Sequence, residues 1–157
     1  MASSQGAGSG TAARLPVLWA LGVVPAVAAT WISPRLVEAA FRRTGPRIEL
    51  GTDWADCITV SLACVLFSGV YLLLGKLLRQ PFRVELAVAH YAGVLAGGML
   101  MLLSPLAMLA GPPSPQVFSM FRRTLQMLSL GYAVFGLSQL LFLALLVESA
   151  WRSRRAA

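Results

Sequence analysis

Four apolar runs, each about as long as a bilayer is thick, divide this chain and restrict its fold more than any other feature. They cover about residues 15–32, 54–75, 84–110 and 125–147. A helix needs roughly 20 apolar residues to cross the hydrocarbon, and no stretch shows the period-two alternation of a half-buried strand. Hydrophobic residues make up 57% of the 157 and charged residues only 12%. A soluble sphere of this size could not hide so much apolar surface, and disorder needs the opposite composition. The expected fold is therefore all-α: an integral membrane bundle of four transmembrane helices, or three if the first is a cleaved signal.

Charge frames the runs. The chain carries 13 Lys+Arg against 6 Asp+Glu, a net +7. In a soluble protein that balance would point to nucleic acid. Here Arg14, Lys76, Arg79, Arg83, Arg152, Arg154 and Arg155 sit just outside the runs, where they anchor helix ends to anionic headgroups. Membrane lipids are the expected partners and nucleic acid is not, because no basic motif interleaved with aromatics is present. With four spans, seven Lys+Arg fall on the side of Arg14, the 76–83 loop and the tail, and six on the other. This small excess leans towards both termini in the cytoplasm, in an inner or cytoplasmic membrane.

Residues 1–13 form a Gly/Ser/Ala tail expected to be disordered, 14–151 the helical domain and 152–157 a basic tail. Arg14, the apolar stretch Leu15–Val24 and the small residues Ala26-Val27-Ala28 also fit a signal peptide, so retention and cleavage both stand as readings. Pro25 predicts a kink in the first span. Ser33 as N-cap, Pro34 as first helical residue and Gly45-Pro46 as a stop predict a short interfacial amphipathic helix, with Leu36, Val37, Ala40 and Phe41 on one face. Asp53 and Asp56 open the second span at the positive end of its dipole, beside Trp54 at headgroup level. The third span, at roughly 40 Å if unbroken, should tilt or break at Pro105. Gly111-Pro112-Pro113-Ser114-Pro115 then makes a stiff turn, and Phe118, Met120 and Phe121 form an interfacial segment before Arg122-Arg123.

Two series of small residues predict close helix approach. Cys57, Ser61, Cys64 and Ser68 recur at helical spacing in the second span, while Ala89, Gly93 and Gly97 make two consecutive small-xxx-small steps in the third. The two cysteines are seven residues apart, too far for a disulfide within one helix, and read as packed thiols.

Chemistry is sparse. His90 is the one histidine, so a haem held by two imidazoles of this chain is impossible. Its readings are a structural or interfacial residue, a single haem or quinone contact, or a proton relay. Glu85 and Glu148 lie near helix ends, and nothing ionisable falls at mid-span, which argues against an ion-coupled exporter. No Ser-His-Asp set, phosphate-binding glycine loop or metal-ligand spacing occurs. The expectation is a chain that is not an enzyme and holds no metal or cofactor.

From the second span onwards the chain resembles the last three transmembrane helices of the large catalytic subunit of haem–copper oxidases. The matching stretches are Gly69-Val70-Tyr71 through Leu77-Leu78, then Glu85 to His90-Tyr91, the glycine-rich run from Gly93 to Pro105, and Ser129-Leu130-Gly131 with the final apolar run to Glu148-Ser149. Arg122-Arg123 is similar to the family's paired arginines that meet haem propionates. The resemblance implies His90, Arg122 and Arg123 as positions of haem or propionate contact. The departure is large: Ser61-Leu62-Ala63-Cys64-Val65 stands where the family carries its haem-binding His-x-His. The resemblance, with that departure, implies a degenerate fragment without haem or copper. Its function would be that of a non-catalytic subunit or assembly partner in a respiratory or electron-transfer complex, touching oxidase or cytochrome subunits. Two alternatives stand beside it: a small homo-oligomeric transporter or channel using Ser138 and Gln139, and a haem- or quinone-binding anchor using His90.

Overall fold

The structure is a computed structural model that describes residues 6–44, 54–77, 83–109 and 117–156. Helix α1 spans Gly6–Leu21, α2 Val23–Thr44, α3 Trp54–Leu72, α4 Val84–Leu102 and α5 Val117–Ala156. A π-helical turn, Leu73–Leu77, ends α3, and a 3-10 segment, Ser104–Leu109, follows α4. No strand occurs among the described residues. Four helical stretches are long and apolar enough to cross a membrane: Arg14–Arg42, Trp54–Gly75, Val84–Leu102 and Ser119–Arg152. The chain is an all-α membrane bundle.

The first crossing is α1 and α2 together, and the joint falls at Gly22 rather than at Pro25. The Gly22 amide reaches both the Leu18 and Trp19 carbonyls, at 3.2 and 3.1 Å. Breaking there leaves Pro25 as the third residue of α2, where its missing N–H costs nothing because first-turn amides have no helical acceptor. Leu15 and Trp19 are core residues, so α1 is an integral part of the bundle.

Two expectations for this region are corrected. The helix begins at Gly6, inside the stretch expected to be disordered. No separate interfacial helix starts at Ser33-Pro34, because α2 runs through both residues to Thr44. The reason is a buried stripe that never changes face: Leu15, Trp19, Gly22, Ala26, Ala29, Ser33, Val37 and Phe41 follow one another at steps of three and four. Val37 and Phe41 bury against Met108 and Met120. Ser33 does not cap its own helix; its hydroxyl donates to the Leu102 carbonyl, at 2.8 Å. That carbonyl lies in the last turn of α4, where helical donors run out. Ser33→Ala should therefore lower stability by about 1 kcal/mol, read as a shift in the unfolding midpoint in mixed detergent micelles.

Neighbouring crossings run antiparallel. The Ser68 hydroxyl of α3 donates to the Pro16 carbonyl of α1 at 2.8 Å, Cys64 faces Gly22, and Trp31 meets Trp54 edge-on at 5.6 Å. Helix α4 turns back along α3, so that Gly98 meets Val60 and His90 meets Tyr71. The α-helix ends at Leu102, where Pro105 has no N–H to offer the Met101 carbonyl four residues earlier and the chain tightens into the 3-10 segment. The most extensive contact in the molecule is between α4 and α5. Helix α5 is continuous from Val117, so Phe118, Met120 and Phe121 lie in the same helix as the crossing, and it extends through the basic tail to Ala156. At one end, Glu148 Oε1 accepts from Arg83 at 2.9 Å and from Arg152 at 2.7 Å. The Gly45-Pro46 stop, Asp53, Arg79 and the turn at Gly111–Pro115 lie outside the described residues.

Candidate functional site

Two features gather the residues singled out in the sequence: a glycine seam between α4 and α5, and a buried histidine at the end of that seam. A Cβ on Gly93 would stand 2.7 Å from Ser138 Cβ. One on Gly97 would stand 2.5 Å from the Phe135 amide nitrogen and 2.9 Å from the Gly131 carbonyl. Gly131 returns the contact, with its own Cβ position 2.8 Å from the Met101 nitrogen. The two backbones therefore touch where both helices lack side chains.

Ala89 does not share in this seam, being exposed. On α4 the contact passes through His90, Gly93, Gly97 and Met101, at steps of three, four and four. Three steps over this stretch average about 3.67 residues, the repeat of right-handed helix pairs, so the contact line leaves a strict every-fourth-residue series at its His90 end. The matching positions on α5, Gly131 and Ser138, are seven residues apart. That spacing is the sequence signal that identifies the partner face. On α3 the other stripe faces α1 through Cys64 and Ser68, with Cys57 also buried. Ser61 is half-buried, and its hydroxyl is enclosed without a hydrogen-bond partner. Both cysteines are free thiols.

His90 is fully buried, not interfacial. Its position six residues into α4 places it near the helix end, yet three other crossings close over it. Tyr71 of α3 pairs its hydroxyl with His90 Nδ1 at 2.9 Å. Trp19 of α1 lies 5.0 Å away between centroids, Phe67 of α3 4.5 Å, and Phe142 of α5 stacks at 5.2 Å. Trp19 also meets Tyr71 and Tyr91. Two polar atoms in this aromatic box, Trp19 Nε1 and His90 Nε2, are buried with no hydrogen-bond partner, and Gln139 is the polar side chain that approaches from α5.

This geometry does not fit a haem. An axial imidazole needs an open macrocycle face at its free nitrogen, and here aromatic rings occupy the flanks of a side chain with no exposed surface. Arg122 and Arg123 lie about 20 residues before Phe142 on the continuous α5, roughly 30 Å away along its axis, so His90 and the arginine pair cannot meet on one porphyrin. Arg122 is exposed and Arg123 half-buried. The polar pair of α5 also bonds within its own helix. Ser138 donates to the Phe135 carbonyl at 2.6 Å, and the Gln139 amide reaches that same carbonyl and the Ser138 hydroxyl, both at 3.2 Å. No group of three or more metal-ligating side chains occurs among the described residues.

The chain matches no protein-family model, no curated protein and no solved structure. The class defined by the fold is a four-crossing helical membrane protein.

Proposed function

We propose that the protein is a non-catalytic membrane subunit or assembly partner in a respiratory or related electron-transfer complex. The observation that carries this reading is where the polar side chains go. Ser33 binds the Leu102 carbonyl, Ser68 the Pro16 carbonyl, Tyr71 pairs with His90, and Tyr132 with Asp56. Each of these bonds joins one crossing to another. Together these bonds fasten the four crossings to one another. The outward face of α5, with Leu130, Leu137, Leu140, Leu143 and Val147 exposed, is left for lipid and neighbouring chains. The electron-transfer assignment draws on the order of motifs from Tyr71 through His90-Tyr91 to Arg122-Arg123.

Isolation of the full chain in mild detergent through a C-terminal tag tests the proposal. The expected result is co-purification of oxidase or cytochrome subunits in fixed proportion. A homo-oligomer free of other chains would overturn it in favour of a channel or transporter. A Soret band that belongs to the isolated chain and disappears in His90→Ala would overturn it in favour of a haem anchor.

A further inference from the structure

At the end of the bundle opposite Arg83 and Glu148, a cleft of about 260 Å³ opens between α2, α3, the end of α4 and α5. Its polar lining comes from Thr30, Ser33, Asp56, Ser104 and Thr124, and its apolar wall includes Phe121, Leu125 and Leu128. The hydrogen bonds of the hydroxyls define what this cleft can receive. Thr30 donates to the Ala26 carbonyl at 2.9 Å, Ser33 to the Leu102 carbonyl at 2.8 Å, and Thr124 to the Met120 carbonyl at 3.4 Å. A hydroxyl has one proton and two lone pairs. With their protons committed to the backbone, Thr30 and Ser33 have only acceptor capacity left, while the longer contact of Thr124 holds its proton less firmly.

Of the remaining polar groups, the Ser104 hydroxyl can donate as well as accept, and the others accept. Asp56 is the one carboxylate in the lining; it takes a 2.6 Å hydrogen bond from the neutral Tyr132 hydroxyl and has no ion pair among the described residues. Pro34 has no N–H to offer the Thr30 carbonyl four residues earlier. The last turn of α4 adds the negative end of a helix dipole beside Leu102 and Ser104. A cleft with one carboxylate, hydroxyls of which Thr30 and Ser33 can only accept, and an apolar wall matches a ligand that donates, is cationic and has a hydrocarbon body.

We propose that this cleft binds the primary ammonium group of an amphiphile, with N–H donors directed at Asp56 and the hydroxyl oxygens and the chain laid along Phe121, Leu125 and Leu128. Two sources carry this chemistry: an aminophospholipid of the surrounding bilayer and a free long-chain amine. The test uses the full chain in mild detergent, titrated with dioleoyl phosphatidylethanolamine, dioleoyl phosphatidylcholine or dodecylamine, with retained ligand read by native mass spectrometry. Phosphatidylcholine has the same charges and chains but no N–H on its head. The expected result is retention of the ethanolamine lipid about tenfold above the choline lipid, or of dodecylamine in its place, and a loss of about tenfold in Asp56→Asn. Which of the two amines is retained identifies the source. Tyr132→Phe keeps the carboxylate while removing the same interhelical bond, so it should retain the amine as well as the parent does. Equal retention of the ethanolamine and choline lipids together with no retention of dodecylamine would overturn the proposal. So would an Asp56→Asn variant that binds like the parent, or equal losses in Asp56→Asn and Tyr132→Phe.

Discussion

Replacing Gly97 with leucine should abolish the folded bundle or lower its stability by about 3 kcal/mol or more. The atoms its Cβ would strike belong to backbone: the Phe135 nitrogen at 2.5 Å, the Phe135 Cα at 2.8 Å and the Gly131 carbonyl oxygen at 2.9 Å. A neighbouring side chain can turn to another rotamer, whereas a helix backbone can only move as a body. Accommodation thus requires α5 to withdraw along its length, and the loss spreads to Ser138 and Met101. Even Gly97→Ala should cost more than about 1 kcal/mol, although alanine is the better helix former by about 1 kcal/mol. Gly136 and Gly69 supply the control, since a Cβ at either meets nothing within 4 Å. Alanine there should be neutral or stabilising by a few tenths of a kcal/mol. Reversible unfolding in mixed micelles followed by circular dichroism measures all three. Equal tolerance at Gly97 and Gly136 would show that the helices do not meet at this seam.

His90→Ala should be the second most damaging change, at about 3 kcal/mol. Two losses combine. The rings of Trp19, Phe67 and Phe142 lose the side chain that fills the space between them, and the buried Tyr71 hydroxyl loses its partner on His90. Tyr71→Phe alone removes the hydrogen bond but keeps the packing, and should cost about 1 kcal/mol. The informative variant carries His90→Phe and Tyr71→Phe together. Replacing both partners with apolar groups of similar shape leaves no Tyr71–His90 pair to satisfy, so the double variant should lie within about 1 kcal/mol of the parent. Should it instead prove as unstable as His90→Ala, the role of His90 would extend beyond packing and this one bond.

Much of the fold is legible in the sequence. The four crossings follow from apolar length, and Gly93 and Gly97 follow from their spacing. The departures share one cause: contacts from distant parts of the chain override local signals. Ser33-Pro34 has the local form of a helix start, but the Leu102 carbonyl 69 residues away supplies the acceptor for Ser33, and the stripe continuing to Val37 and Phe41 keeps α2 intact. His90 stands near a helix end and so reads as interfacial; its burial depends on Trp19, Phe67 and Phe142, which no spacing within α4 can reveal. Ala89 continues the small-residue line by its spacing, but the helix pair departs from that line beyond Gly93. The acceptor character of the cleft is equally hidden, because a sequence gives hydroxyl positions but not the direction in which each proton points.

Helix α5 reaches well past the bilayer. Its 40 residues make an unbroken rod of roughly 60 Å, about twice the hydrocarbon thickness. Because α5 is held at His90–Phe142, at Gly97–Gly131 and at Arg83–Glu148, the length in excess of the hydrocarbon is a continuation of a fixed stem into water rather than a separate segment.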